Sequence, residues 1–238
     1  MSSDAVARDQ LENAEPQAVL AWAYRSFARP ALVASFQLES VVLIDMATRL
    51  GERPEVITLD TGRLPEATHE YMERIARRYP IRLQVAYPDP QELAELVGAH
   101  GPNLFRTSPE LRHACCAVRK TRVLERALAG RDAWVTGLRR DQAASRRATP
   151  VVQEDPLRPG LVKIAPLAAW SRAQVWEYAR EHGIEAHPLY AAGYASIGCA
   201  PCTRATRPGE DERAGRWWWE RTGVRECGLH WAAPGGGR

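Results

Sequence analysis

Short apolar runs at residues 31–36, 55–60, 81–86 and 132–136 alternate with helical patterns, and this alternation limits the chain's possible folds more than any other feature. Strand-like runs separated by helices of about ten to fifteen residues predict βαβ units and a mostly parallel sheet. The intervening segments carry the right periodicity. Val41, Val42, Ile44, Met46 and Leu50 mark one helix, and Ala67, Tyr71, Ile75 and Tyr79 mark a second behind Pro65. Residues 90–100 and 118–128 read as two more, the latter stopped by Gly130. Such sheets bind ligands beyond the carboxyl ends of their strands. Here those ends are residues 35–40, 59–62 and 137–142.

A helical pattern over residues 15–27 precedes the first strand, and Ser171 with Gln174 forms a capping box opening a helix that ends near Gly183. Residues 193–208 are rich in glycine, proline and cysteine and read as loop. A basic helix or turn with Trp217, Trp218 and Trp219, read as aromatics packed against the sheet, follows, then a glycine-rich tail. No internal repeat or linker divides the chain. The expectation is a single α/β domain, a mostly parallel sheet flanked by helices, with a helical segment at 1–30, the main body at 31–212 and a C-terminal segment at 213–238.

With 45% apolar and 26% charged residues among 238, the chain is neither collagen-like, coiled-coil nor mainly disordered. No apolar run approaches the roughly 18 residues of a membrane span, and the N-terminus lacks a signal-peptide pattern. A cytoplasmic protein without membrane contact is expected. A net charge of +3, from 32 basic and 29 acidic residues, does not point to nucleic acid. Among the basic residues only Lys120 and Lys163 are lysines, so a lysine inside a motif is more informative than a single arginine.

Five cysteines occur as Cys115-Cys116, expected at the start of a helix, Cys199-Ala-Pro-Cys202, expected in a loop, and a lone Cys227. In a reducing compartment they do not form a disulfide framework. Two pairs from separate segments can close a four-sulfur site around zinc or an iron–sulfur cluster, while an adjacent doublet is unusual for structural zinc. Two unrelated structural pairs are the simpler alternative. Cys227 lies in Glu226-Cys-Gly-Leu-His230, where a thiol is not core material and His230 could stabilise its thiolate. Elsewhere, Ser35-Phe-Gln-Leu-Glu-Ser40 has the length of a phosphate-wrapping loop without its usual glycines, and Gly137-Leu-Arg-Arg-Asp-Gln142 opens an arginine-rich strand end suited to phosphate or sulfate.

Six motifs in order carry a more specific signal: LDTGRLPE (59–66), CCAVRK (115–120), GLRRDQ (137–142), GCAPCTR (198–204), RAGRWWWE (213–220) and ECGLH (226–230). Together they resemble the assimilatory adenylyl-sulfate reductases, the iron–sulfur branch of the phosphoadenylyl-sulfate reductase family, from about Ser35 to His230. The glycine-free SFQLES is the departure. The resemblance implies an adenine nucleotide α-hydrolase-like fold with a mobile C-terminal tail, and a [4Fe–4S] cluster on Cys115, Cys116, Cys199 and Cys202. It implies that adenosine 5′-phosphosulfate binds with Ser35, Leu59, Thr61 and Gly137 near the nucleotide, and with Lys120, Arg147, Arg213 and Arg216 around the phosphosulfate. Cys227 would be the nucleophile, aided by His230 and Lys120, and thioredoxin or a similar dithiol would release sulfite. A homo-oligomer is compatible with the pattern.

Three other readings stand beside this one. A phosphoadenylyl-sulfate reductase would share the tail cysteine but not the cysteine quartet. A tRNA-thiolating adenylating ligase would need a basic face or an RNA-binding extension. A nucleotide- or metal-sensing module would leave Cys227 without a task.

Overall fold

The structure, a computed structural model, describes residues 10–220 and 226–230. Residues 1–9, 221–225 and 231–238, parts of the expected N-terminal and C-terminal segments, lie outside the described residues. The strands of the sheet are short: β1 (Pro30–Val33), β2 (Glu55–Leu59), β3 (Arg82–Ala86), β4 (Ala133–Thr136), β5 (Val152–Glu154) and β6 (Val162–Ile164). Their order is β3-β2-β1-β4-β6-β5, parallel throughout except for β5, which runs antiparallel to β6 at one edge. The chain steps outward from β1 to β2 and β3, then crosses back to β4 on the other side of β1. That reversal opens a crevice above the carboxyl ends of β1 and β4.

Helices α1 (Pro16–Ser26), α2 (Leu38–Arg49), α3 (Glu66–Arg78), α4 (Pro90–His100), α5 (Pro109–Cys116), α6 (Arg122–Ala127) and α7 (Arg172–Glu181) cover the sheet. Helix α2 is buried from Leu38 through Ala47, as a helix with neighbours on both sides must be, and it packs against α1 and α7. Its buried Asp45 accepts hydrogen bonds from Tyr79 Oη (3.1 Å), Tyr178 Oη (2.9 Å) and Arg49 Nε (2.6 Å), so one satisfied carboxylate ties α2 to α3 and α7.

The expected parallel α/β architecture is present, with three local differences. Strands β5 and β6 have only three residues each, too few for a periodic signal. The predicted helix over 118–128 is broken: α5 runs into a π-helical turn at Ala117–Thr121 before α6. Cys115 and Cys116 therefore close α5, which starts at Pro109 under a Ser108 cap (Leu111 N to Ser108 Oγ, 3.2 Å), rather than opening a helix. Finally, Trp217–Trp219 form a turn, and Trp217 packs among the cysteines instead of on the sheet.

Candidate active site

At the crevice lies a cleft of about 1100 Å³, counting its open mouth. The ends of β1, β2 and β4 supply its floor through Ser35, Leu59, Thr61 and Gly137. The loop after β1 closes without glycine because Phe36 adopts a left-handed backbone (φ +55°) and its ring is fully buried, a packing gain that offsets the strain. Gly137 is needed for close approach, since a Cβ there would stand 2.8 Å from Glu39 Cβ. Gln37 and Glu39, in the same loop, also line the cleft. Gln37 Oε1 accepts from Ile197 N (2.8 Å), and Glu39 is anchored by the buried Arg139 (3.1 Å) and by Gln142 (3.1 Å).

One wall is cationic. Lys120, Arg146, Arg213 and Arg216 all face the cleft. Burial, together with Arg146 and Arg216 alongside, pulls the Arg213 guanidinium down to about 10 despite Glu226. Such a wall favours an anionic ligand. Arg147, expected from sequence to belong here, is instead exposed and outside the cleft. Residues Ala144–Arg146 form a 3₁₀ turn, so consecutive side chains diverge by about 120°, and Arg146 takes the inward position.

Cys227, Leu229 and His230 form the lid side of the same cleft. The His230 ring lies parallel to Trp134 (5.6 Å between centroids, 9° between planes). Burial first, then Lys163, Arg146, Arg158 and Arg213, hold this imidazole well below its ordinary value, so it is neutral. The charge partner that the sequence assigned to His230 is therefore supplied by cations: Lys120 and Arg213 both interact electrostatically with Cys227.

Beneath Trp134 lies the second lysine. Lys163 Nζ stands 5.5 Å from the Trp134 ring centroid, and burial pulls it down to about 8 despite Asp155. Between about 8 and the ordinary 10.5 the unfolded chain binds more protons than the folded one, so stability rises with pH across that window. Replacing Lys163 by methionine should stabilise the fold below about pH 8 by on the order of 2 kcal/mol. The advantage over the parent should fade as pH climbs toward 10.5, which chemical denaturation at several pH values would measure.

A second, smaller cavity adjoins the cleft, and Lys120 lines both. Cys115, Cys116, Cys199 and Cys202 all face it, each buried, with Phe105, Arg112, Arg119 and Trp217. The two segments are pinned together: Ala200 N donates to Arg63 O (2.8 Å), the Thr61 hydroxyl contacts Cys199 Sγ (3.3 Å), and Arg119 Nη1 donates to Thr61 O (2.5 Å). Thr61, on the cleft floor, thus touches a thiol of the smaller cavity. Gly198 lets Arg216 pass, because a Cβ would come within 2.3 Å of its guanidinium. All four thiols are free of disulfides. Burial pushes Cys116 up to about 12 and Cys202 to about 11, whereas Lys120 and the Thr61 hydroxyl outweigh burial at Cys199 and lower it.

This donor set suits an iron–sulfur cluster. The four thiols share one apolar pocket beside three cations, and Arg119 Nε and Trp217 Nε1, both at this cavity, have no protein acceptor among the described residues. Buried donors without partners fit a group that brings acceptor sulfurs. Among the described residues, no three His, Cys, Asp or Glu side chains converge as a site for a single metal ion.

The cleft residues to which the sequence assigned no individual role are Gln37, Glu39, Gln142 and Arg146, the last read there only as part of a guanidinium cluster with Arg147. The first three sit inside quoted motifs, while Arg146 could be separated from Arg147 only by the turn that holds them.

Comparison with known proteins agrees with this geometry. An Adenosine 5′-phosphosulfate reductase from Allochromatium vinosum is 47% identical over 82% of this chain and 76% of its own length. One from Sinorhizobium fredii is 49% identical over 74% of this chain and 70% of its own. Among solved structures, a phosphoadenylyl-sulfate reductase from Candida auris in complex with phosphate superposes with a TM-score of 0.71 at 27% identity, covering 84% of this chain and 97% of its own. The phosphoadenosine phosphosulfate reductase domain matches residues 29–205, from β1 through the Cys199–Cys202 loop, and with that sheet, cleft and paired cysteine segments in place this chain belongs to that family.

Proposed function

We propose that this protein reduces adenosine 5′-phosphosulfate to sulfite and AMP in sulfate assimilation. The observation that carries this reading is the junction of the two cavities: Lys120 lines both the anion-binding cleft, beside Cys227, and the pocket of four thiols. The names borne by relatives above 40% identity support the substrate. The quartet favours the unphosphorylated nucleotide over its 3′-phosphorylated form.

Bound with its nucleotide over Ser35, Leu59, Thr61 and Gly137, the substrate would present its phosphosulfate to Lys120, Arg146, Arg213 and Arg216. These cations offset the repulsion between an anionic substrate and an anionic thiolate, and they stabilise the charge that develops on the departing phosphate. The Cys227 thiolate attacks the sulfate sulfur. The bond from that sulfur to the bridging oxygen breaks, and AMP leaves with the electron pair, giving a cysteine S-sulfonate. A thiolate of a thioredoxin-type dithiol then attacks Cys227 Sγ, sulfite departs with the electron pair of the S–S bond, and the second thiol resolves the mixed disulfide. The dithiol supplies both electrons. Cys115, Cys116, Cys199 and Cys202 would hold a [4Fe–4S] cluster, whose charge, when bound, shapes the field felt by Lys120. Its thiols and the dithiol exchange call for a reducing compartment such as the cytoplasm.

The test is to mix cluster-loaded protein with adenosine 5′-phosphosulfate, without reductant, and weigh the intact chain and its peptides. A sulfonate adduct on Cys227 is expected, and its absence would overturn the reading. Lys120→Ala should slow adduct formation by at least ~100-fold with the iron content unchanged. Faster modification by the 3′-phosphorylated nucleotide would favour the sister activity instead.

A further inference from the structure

The cationic wall is already engaged by the protein's own chain. Glu226, the residue before Cys227, is buried, and its carboxylate accepts from Arg146 Nε (2.8 Å) and Nη2 (2.9 Å), Arg213 Nη2 (3.1 Å) and Ser145 Oγ (3.2 Å). Its backbone carbonyl accepts from Arg112 Nη1 (2.8 Å). Arg112 is itself buried on α5, the helix that ends in Cys115 and Cys116, where it pairs with Glu220 (2.5 Å) and stacks over Trp217 (4.6 Å). One residue thus ties the nucleophile's segment to the cleft wall through its side chain and to the thiol-bearing helix through its main chain. Burial alone would raise the Glu226 carboxyl, but Arg146 and Arg213 outweigh it and keep it ionised.

We propose that Glu226 is a positioning residue: its ion pairs with Arg146 and Arg213 hold Cys227 in the cleft before any nucleotide arrives, and a substrate anion at the same two guanidiniums competes with that hold. Two tasks of the tail are thereby separated. With the cleft empty, the carboxylate fills the anion site and keeps the thiol inward. Once the arginines are shared with a phosphosulfate, the hold weakens and the thiol can later leave for its reductant. A buried carboxylate paired bidentately with arginine is a strong contact when intact, and it leaves uncompensated charge when one partner is removed. The inference rests on the proposed function only in taking Cys227 as the nucleophile.

The experiment is alkylation of Cys227 by iodoacetamide in cluster-loaded protein without nucleotide or reductant, followed by peptide mass analysis. The limiting rate at high pH is compared, so that access is separated from thiol ionisation. Glu226→Gln should raise that limiting rate at least tenfold, while Glu226→Asp, which keeps the charge, should stay within about threefold of the parent. Arg146→Met should also raise it, and the double variant should be no faster than the faster single one, as expected when both act through one contact. Equal limiting rates for parent and Glu226→Gln, an Asp variant as fast as the Gln variant, or multiplying effects in the double variant would each overturn the proposal. The measurement needs no turnover, so a protein that failed to form the sulfonate could still show this hold, and the reverse.

Discussion

Replacing Cys227 by serine should reduce sulfite formation by at least ~10⁴-fold while leaving nucleotide affinity within about threefold of the parent. A hydroxyl in place of the thiol stays protonated at neutral pH and is a poor nucleophile toward sulfur, and losing a covalent nucleophile has effects of this order. The nucleotide floor does not depend on it, since Ser35, Leu59, Thr61 and Gly137 belong to the sheet end. Sulfite release measured with a dithiol donor, beside AMP binding by calorimetry, reads both quantities. A serine variant keeping more than about 1% of the rate would place the acceptor elsewhere. Loss of binding together with activity would instead mean that the thiol helps to hold the ligand.

The second large effect concerns a residue with no chemistry of its own. Gly215→Ala would set a Cβ 2.2 Å from the carbonyl oxygen of Arg204, a backbone atom that cannot rotate away. There the chain doubles back: Arg204 N donates to Gly215 O (3.0 Å), Thr203 bridges Arg216, and Trp217 N donates to Cys202 O (3.0 Å). Making room must separate these segments and draw Cys202 away from Trp217 and Arg216. A cost near the top of the roughly 1–3 kcal/mol range for overpacking is expected, with iron content falling well below the parent's. Gly98→Ala is the matching control. It lies within α4 with nothing within 4 Å of the added methyl, so it should gain up to about 1 kcal/mol and keep full iron. Thermal melts and iron analysis of both variants check the contrast.

Much of the fold was legible because period and punctuation agree. Helix α4 at Pro90–His100 begins and ends as the pattern indicates, with Asp89 accepting from Gln91 N and Glu92 N, and α7 carries the capping box read from Ser171 and Gln174. Strands β1, β2 and β4 are mostly apolar and buried, as a sheet covered on both faces requires, whereas β3, at the edge, is only partly buried. What escaped reading depends on contacts distant in sequence. Strands β5 and β6 exist because β4 offers them an edge, and Phe36 bends as it does because the core accepts its ring. At the site, Ser35, Thr61 and Gly137 were legible from strand ends, and the cysteines from their count. The inward turn of Arg146, the neutral His230 and the engagement of Glu226 were not, for each is decided by what stands opposite in space.

The widened turn at Ala117–Thr121 has a consequence for how this molecule can change over time. An ordinary helix rotates by about 100° per residue, so two adjacent thiols on one face leave little freedom for a cation three or four places later. The π-helical turn admits one more residue per turn, and it is there that Arg119 meets the thiol pocket and Lys120 reaches both pocket and cleft. Losing a single residue from this stretch would return the turn to ordinary helical pitch and shift the cations within it relative to the sulfurs. Point substitutions can drift across much of this surface, but here a change in length moves the ammonium relative to the sulfurs.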